Sequence, residues 1–316
     1  MRLIFMGTPD FSVPTLTTLA EASGHEVIAV YTQPDKPKGR GQEVMYTPVK
    51  EAALKYGIPV YQPQRVRNEE CIKEIRSMAP DAVIVVAYGQ ILPEELLEIP
   101  KYGCINVHAS LLPKYRGAAP IQWAVINGEK ESGVTTMQMD VGLDTGDMLL
   151  KTVVPLEKDE TGGSLHDKLM VLGGPLILET LSGLSDGTLK GEKQNEELAA
   201  YCGKLDKSMG RIDWSRTSAE IERLIRGLNP WPCAYTTLDN KLLKLWKAVP
   251  VSIEEADAHF KDAECGTIAK IKKDGICVVT SDGMLDIKEL QLEGKKRMSA
   301  GDFLRGYALV EGRILG

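Results

Sequence analysis

Apolar runs and amphipathic stretches alternate along the first half of the chain. Residues 2–7 (RLIFMG) and 81–89 (DAVIVVAYG) are almost continuously apolar, whereas 13–24 and 47–57 have apolar residues at helical spacing and end in glycine. Continuous apolar strands are typical of a parallel sheet that is covered by helices on both faces. The pattern therefore predicts an α/β fold with a Rossmann-like, doubly wound, mostly parallel sheet.

A polar segment without clear periodicity begins near residue 188. It is followed by short strand-like runs that are separated by Asp-Asn and Asp-Gly turns, such as GICVVTS and GMLDIKELQLEG. Turns of this kind join hairpins in antiparallel sheets. We predict the α/β domain over 1–187, a linker over 188–206 and a smaller, OB-like antiparallel β-barrel over 207–316.

Composition narrows the class of protein. A chain of 316 residues usually folds as two domains, and no apolar run approaches the roughly 20 residues of a membrane helix. The first residues lack the features of a signal peptide, so we expect a cytoplasmic protein that does not bind membranes. Six scattered cysteines without a C-x-x-C pair argue against a zinc site or a disulfide framework.

The loop after the first strand differs from a dinucleotide-binding loop. Its sequence, GTPDFSVP, lacks the G-x-G-x-x-G pattern, and Pro9 has no N–H to donate. Asp10 would also repel a pyrophosphate. A ligand is therefore expected elsewhere along the carboxyl ends of the strands, which is the usual binding edge of such sheets.

Two polar residues interrupt an apolar strand near its carboxyl end. Asn106 and His108 are two residues apart, so their side chains lie on the same face of the strand. Such a pair is often structural. The loop 139–149, which follows another core strand, adds Asp140, Asp144 and Asp147, and we expect it at the same sheet edge. No second His or Cys lies near, so no metal site is predicted.

The loops around these residues are apolar. The segment 110–113 (SLLP) could form a wall for a flat ring system, and in 87–93 (AYGQILP) the backbone around Gly89 could approach a heterocycle closely. No Ser or Cys is placed as a nucleophile. An amide that donates to an oxyanion, an imidazole that handles protons and a carboxylate that orients the imidazole suit direct acyl transfer to an amine.

These motifs resemble those of the 10-formyltetrahydrofolate-dependent formyltransferases. The resemblance rests on Asn-x-His followed by SLLPKYRGAAPIQWAVING and on the GLDTGD loop. It extends over the whole chain to the members that formylate methionyl-tRNA, through FMGTPDFSVPTL, TQPDKPKGRG, GRIDW and LNPWP. It implies 10-formyltetrahydrofolate as the formyl donor, methionyl-initiator tRNA as the acceptor and no metal, and we expect a monomer.

The resemblance also implies roles for individual residues. Catalysis falls to Asn106, His108 and Asp144. The expected folate-binding residues are Ser110, Leu111, Leu112, Pro113, Tyr88, Gly89, Gln90, Ile91, Leu92 and Asp140. The expected tRNA-binding residues are Lys36, Lys38, Arg40, Lys204, Lys207 and Arg211.

The charge pattern bears on how an acidic chain would bind tRNA. Residues 204–247 contain nine Lys or Arg and five Asp or Glu, a local charge of +4 within a chain of −6. This bias fits a phosphate-binding surface. In the loop 33–44, Gln42 and Glu43 lower the expected number of phosphate contacts. Trp231 and Tyr235 are expected mainly in the core.

Two alternatives remain open from the sequence. A folate-dependent formyltransferase that acts on a small-molecule amine, such as a ribonucleotide or an amino sugar, would use the same three catalytic residues. A tRNA-binding protein without activity would not need them, so the intact set argues against it.

Overall fold

The structure is a computed structural model that describes residues 1–38, 43–251 and 263–316. Its contacts divide the chain into two compact units. The first contains 1–120, 131–155 and 166–202, and the second contains 121–130, 156–165 and 203–316. The segment 188–202, which the sequence assigned to a linker, therefore lies in the first unit. Within the described residues no helix has the length and apolarity needed to cross a bilayer.

The first half of the chain alternates between strands and helices. The strands are β1 (Arg2–Gly7), β2 (Glu26–Tyr31), β3 (Lys36–Lys38), β4 (Glu43–Met45), β5 (Val60–Tyr61), β6 (Ala82–Val86), β7 (Cys104–His108), β8 (Arg116–Gly117), β9 (Glu131–Gln138), β10 (Met148–Pro155) and β11 (Tyr201–Cys202). The helices are α1 (Val13–Glu21), α2 (Pro48–Lys55), α3 (Glu69–Met78), α4 (Glu94–Leu97), α5 (Pro120–Ile126), α6 (Gly162–Met170) and α7 (Gly173–Ser185).

Seven of these strands form the main sheet of the first unit, in the order β10-β9-β7-β6-β1-β2-β5. The strands from β7 to β5 pair in parallel, whereas β9 and β10 are antiparallel to their neighbours. The predicted Rossmann-like, mostly parallel sheet is confirmed. One face of the sheet packs in a core cluster that includes Ile4, Val83, Cys104, Ile75 of α3 and Leu96 of α4.

Helices α1 and α7 pack closely in the first unit because two glycines begin α7. A Cβ atom at Gly173 would lie 2.7 Å from Oγ1 of Thr15, and one at Gly174 would lie 2.3 Å from Oγ1 of Thr18. Both distances are shorter than any real side-chain contact. The glycine pair therefore sets the distance between the two helices.

The second unit contains an antiparallel sheet. Its strands are β12 (Ala234–Leu238), β13 (Lys241–Val251), β14 (Ile268–Lys272), β15 (Gly275–Thr280), β16 (Gly283–Leu292) and β17 (Met298–Ser299), and its later helices are α8 (Ser218–Gly227) and α9 (Ala300–Gly306). The spatial order is β12-β13-β16-β15-β14, with β17 beside β16. Ile221 and Ile225 of α8 are buried in a core cluster with Trp214 and Phe303. The predicted antiparallel second part of the fold is confirmed.

The expectation that Trp231 lies in the core is wrong. Its side chain is 54% exposed. The chain turns between the end of α8 and β12, and Cys233, which is 1% exposed, takes the inward position at that turn. The amide of Cys233 donates to the carbonyl of Leu228. This hydrogen bond closes the turn so that Trp231 lies at the surface and the chain enters the core at Cys233.

Candidate active site

Asn106 and His108 lie side by side at the carboxyl end of β7. Strand alternation directs them to the same face as Cys104, which is fully buried, so the face becomes polar only toward the end of the strand. His108 is 6% exposed and Asn106 is half-buried. Because Val85 of β6 pairs with Asn106 in parallel register, the loop that follows β6 begins beside His108.

Asp144 completes the predicted trio, although its loop takes a different path from the expected one. Strand β9 is antiparallel to β7, and its last residue, Gln138, pairs with Ile105. The loop 139–147 therefore does not leave at the carboxyl edge of the parallel strands, as the sequence suggested, and it reaches back toward β7. The Oδ1 atom of Asp144 lies 3.4 Å from Nδ2 of Asn106, and its Oδ2 atom lies 3.8 Å from Nδ1 of His108.

The backbone holds the carboxylate of Asp144 in place. The amide N–H of Gly117 donates to Oδ2 of Asp144 over 2.8 Å. Asp144 itself has a φ of 54°, in the left-handed region that most non-glycine residues avoid. An aspartate tolerates that region better than most residues, and the restrained loop supports the conformation.

The tautomer of His108 follows from its hydrogen-bond partner. Its Nε2 atom lies 2.9 Å from the backbone carbonyl of Tyr115. A carbonyl oxygen can only accept, so Nε2 carries a proton and donates it. In the neutral ring Nδ1 is then unprotonated, and this atom faces Asp144. Tyr115 has a φ of 62°, which is part of the turn that directs its carbonyl toward the imidazole.

The segment Ser110 to Pro113 forms a braced turn beside the trio. Thr135 on β9 donates from Oγ1 to the carbonyl of Ser110 over 2.6 Å and accepts from the amide of Leu112 over 3.2 Å. The hydroxyl of Ser110 donates to the carbonyl of Lys114. Ser110 and Leu112 are buried, whereas Leu111 and Pro113 are half-buried. The turn is therefore rigid and presents only part of its apolar surface.

The loop after β6 contains the other expected folate-binding residues. Tyr88 and Leu92 are buried in the core, Gly89 and Ile91 are exposed, and Gln90 is half-buried. The carbonyl of Tyr88 accepts hydrogen bonds from Thr8 and Gln33, which fix the loop to the neighbouring strands. Gln90 accepts from the amide of Val66 and donates to the carbonyl of Pro63, so its amide has a structural role.

Asp140 lies in the same loop as Asp144 but serves a local turn. Its Oδ1 atom accepts from the amide of Gly142 and from the hydroxyl of Thr145. Val141 and Leu143, between the two aspartates, are exposed apolar side chains, as is Ile91 on the opposite loop. The two loops beside the trio therefore both present apolar surface to solvent.

The sequence did not point to Gln194, which contacts the Asp144 loop from the segment that was expected to be a linker. Its Nε2 donates to the carbonyls of Asp144 and Gly146, each over 2.8 Å. Arg116, which is fully buried, donates to its Oε1. A lone glutamine in a polar segment has no sequence pattern that would have marked it.

The cysteines near the site are unsuited to nucleophilic attack. Burial raises the pKa of the Cys104 thiol to about 12. Burial is also the main reason that the pKa of Cys202 is raised. In the parts of the chain that the structure describes, no three His, Cys, Asp or Glu side chains form a group that could hold a metal ion.

The residues expected to bind tRNA lie in both units. Lys36, Lys204, Lys207 and Arg211 are exposed. The backbone of Lys38 ends β3, while Arg40 and Gln42 lie outside the described residues. Strands β3 and β4 pair with each other in antiparallel register as a two-stranded hairpin.

The base of this hairpin is held by a polar cluster. Lys50 of α2 forms an ion pair with Asp35, and Gln62 donates to the same carboxylate over 2.8 Å. Burial opposes the charged form of Asp35, but the hydrogen bonds from Lys50 and Gln62 and the charge of Lys50 together hold the pKa of Asp35 below its usual value. The Lys50 ammonium also lies 3.9 Å from the centre of the Tyr46 ring.

Comparison with protein families and known proteins follows the same division of the chain. The family described as formyl transferase matches residues 1–181, and the family described as formyl transferase, C-terminal domain, matches residues 204–308. The chain is 55% identical to the methionyl-tRNA formyltransferase of Citrifermentans bemidjiense, over 100% of this chain and 96% of that protein. It is 56% identical to the protein of the same name from Geobacter metallireducens, over 100% of this chain and 99% of the relative.

Solved structures of more distant enzymes share the fold. The sugar 3N-formyltransferase WlaRD, solved with dTDP and 5-N-formyl-THF, has a TM-score of 0.65 at 20% identity, covering 94% of this chain and 99% of that one. The N-formyltransferase from Helicobacter canadensis, solved with folinic acid and dTDP-3-aminofucose, has a TM-score of 0.64 at 19% identity with the same coverage. Both family matches and the full-length identities agree, so the chain belongs to the formyltransferase family of enzymes and, within it, to the methionyl-tRNA formyltransferases.

Proposed function

We propose that this enzyme transfers the formyl group of 10-formyltetrahydrofolate to the α-amino group of methionyl-initiator tRNA. The observation that carries the proposal is the convergence of Asn106, His108 and Asp144 in a chain that is more than half identical to methionyl-tRNA formyltransferases over its full length. The product would serve translation initiation, and we propose that the enzyme acts in the cytoplasm. We also propose that it acts as a monomer.

The trio fits direct attack of the amine on the formyl carbon. As the bond forms, the formyl oxygen becomes an oxyanion, and the Nδ2 group of Asn106 is a donor that can stabilise it. Nδ1 of His108 is available to accept a proton and then to carry it beside the carboxylate of Asp144. Return of that proton to N10 of the folate would let the nitrogen leave. Proton transfer of this kind contributes about 10²–10⁴-fold to rate.

The surroundings of the trio fit a folate-derived donor. A flat heterocycle requires apolar surface next to backbone polar groups. Ile91 lies on one loop beside the trio, and Val141 and Leu143 lie on the other, all exposed. Gly89 has a φ of 86°, and among the described residues beyond its chain neighbours only the Gln33 side chain lies within 4 Å of where a Cβ would be. A ring system therefore has room to approach the backbone there. The expected folate-binding residues are retained as part of this proposal.

The proposed tRNA contacts use basic residues of both units. Lys36 and Lys38 belong to β3 of the first unit, and Arg40 follows them in the sequence. Lys204, Lys207 and Arg211 lie in the second unit. Lys204, Lys207 and Arg211 lie in the segment whose net charge is positive while the chain as a whole is acidic. Phosphate contacts from such residues supply most of the non-specific part of nucleic-acid affinity.

One assay tests the proposal against its nearest alternative. The purified protein is incubated with 10-formyltetrahydrofolate and, in separate reactions, with methionyl-initiator tRNA, glycinamide ribonucleotide or a dTDP-amino sugar. We expect formylation of the methionyl-tRNA, detected as N-formylmethionine after hydrolysis of the ester. Asn106→Ala serves as the matched control and should lower the rate without abolishing tRNA binding.

Different outcomes separate the rivals. Transfer to a small amine with none to methionyl-tRNA would overturn the proposed acceptor while leaving the donor intact. Binding of tRNA without transfer to any acceptor would instead support a tRNA-binding protein without activity.

A further inference from the structure

The segment 188–202 runs across the loop that carries Asp144. Its backbone forms a bridge between Glu192 and Met148, and its strand β11 pairs in parallel with β8. Between these two attachments lies Gln194, which is 9% exposed. The segment therefore does more than join the two units, since it is attached on both sides of Gln194 to elements that frame the trio.

Both N–H groups and the oxygen of the Gln194 side chain have hydrogen-bond partners. Its two N–H groups donate to the carbonyls of Asp144 and Gly146, and its oxygen accepts from Nε of Arg116 over 2.9 Å. Carbonyls only accept and a guanidinium only donates, so the orientation of this amide is determined by its partners. No other neutral side chain of this length offers two donors and an acceptor in one plane.

Arg116 is in turn held from its other side. Its guanidinium is fully buried, forms two hydrogen bonds with Glu196 at 2.9 and 2.7 Å, and a third with the hydroxyl of Tyr201. The hydrogen bond with Glu196 is the main reason that the pKa of Arg116 is raised. Arg116 therefore stays charged and fixes the position of the Gln194 oxygen.

We propose that Gln194, braced by Arg116, is a positioning residue that holds the Asp144 loop in the conformation required for transfer. The proposal rests on the proposed function. Gln194 acts through the two backbone carbonyls on either side of Thr145, which accept its hydrogen bonds. A free loop would leave Asp144, with its left-handed backbone, able to relax away from His108.

The test compares Gln194→Met with the wild-type protein. Methionine keeps the length of the side chain but removes both donors, so the loop loses two hydrogen bonds in a buried place. Misplacement of a catalytic group by about 1 Å can cost roughly 10²-fold in rate. We expect kcat to fall about 10- to 100-fold, with the KM for both substrates within about threefold, as for loss of an interaction used in the transition state.

Two controls distinguish a general loss of stability from a change in the position of the Asp144 loop. Glu197→Gln, an exposed change in the same segment, should leave activity and thermal unfolding unchanged. Thermal unfolding of Gln194→Met, followed by circular dichroism, should show that the protein is folded at the assay temperature.

A double-mutant cycle with Asp144→Asn decides how Gln194 acts. If it acts through Asp144, Gln194→Met should change the rate of the Asp144→Asn variant by less than about threefold. Independent effects that multiply would overturn the proposal, as would a rise in KM with unchanged kcat.

Hydrogen exchange separates this proposal from the proposed function. Amides of 140–147 should exchange faster in Gln194→Met than in the wild-type protein, whether or not any acceptor is formylated. An inactive wild-type protein would defeat the proposed function, whereas unchanged exchange in this loop would defeat the role of Gln194.

Discussion

The carboxylate of Asp144 is bound to the backbone of Gly117, whose amide donates to Oδ2 over 2.8 Å. The same oxygen faces Nδ1 of His108, and the other oxygen faces Nδ2 of Asn106. One carboxylate thus links its own loop to strand β7 and to Gly117. Its position depends on the turn around Gly117 as much as on its own loop, and this dependence can be tested at both places.

Replacement of Asp144 by asparagine should remove the negative charge and keep most of the geometry. Asparagine can accept from the Gly117 amide and tolerates a φ of 54°. We expect kcat to fall about 10²- to 10³-fold, since a proton on His108 loses its charged neighbour. Single-turnover formylation of methionyl-tRNA measures this, with Asp147→Asn as the same change in the same loop. Equal rates in both variants would contradict the role of the carboxylate.

Replacement of Gly117 by alanine should disrupt the same contact from the other side. Gly117 has a φ of 116°, and a Cβ there would lie 2.3 Å from the carbonyl oxygen of Cys202. Backbone strain and the clash should together lower the free energy of unfolding by about 2–4 kcal/mol. Gly24→Ala is the matched control, because Gly24 has a φ of 89° and no atom of the described residues beyond its chain neighbours lies within 4 Å of the new Cβ.

Urea unfolding of the two alanine variants distinguishes strain from clash. Gly24→Ala should cost about 1 kcal/mol, which is the usual penalty for a left-handed residue. If the free energy of unfolding falls by the same amount in both variants, the close contact with Cys202 does not contribute to the loss.

The sequence predicted the fold class and the pair Asn106 and His108 from local patterns, whereas the choice of Asp144 among three aspartates came from the resemblance to the formyltransferases. Strand alternation places Asn106 and His108 on one face, and an Asp-rich loop is visible as such. The direction of β9 cannot be read from its own sequence, because parallel or antiparallel pairing depends on the route of the chain between the two strands. The Asp144 loop therefore leaves the sheet at the other edge from the one we expected. Gln194 was missed because its partners are two backbone carbonyls and a buried arginine, and such contacts produce no recognisable pattern in the sequence around it.

The ion pair at the base of the β3–β4 hairpin should show in the pH dependence of stability. The pKa of Asp35 is lowered in the folded state, so the pair contributes fully above the unfolded value of about 3.9 and loses its contribution as pH falls through the folded value. The free energy of unfolding of the wild-type protein should be about 1–3 kcal/mol higher than that of Asp35→Asn at pH 7. This difference should stay level down to about pH 5 and shrink at lower pH.

Urea unfolding at several pH values measures the difference, and Asp186→Asn, an exposed change in the same unit, corrects for the altered net charge. A stability difference between wild type and Asp35→Asn that grows as the solution becomes more acidic would contradict a lowered pKa of Asp35 in the folded protein.

Lys204 and Lys207 should contribute to tRNA affinity through phosphate contacts, which depend on salt. Each lost contact reduces the slope of log affinity against log salt by about 1. The double variant Lys204→Ala/Lys207→Ala should therefore bind methionyl-tRNA more weakly at low salt and lose less affinity as salt rises. Lys158→Ala/Lys190→Ala removes two exposed lysines elsewhere and should retain the wild-type slope.

Filter binding between 50 and about 200 mM salt measures all three proteins. Parallel lines for all three would exclude both lysines from the tRNA contact, because a change in net charge alone affects the two double variants equally.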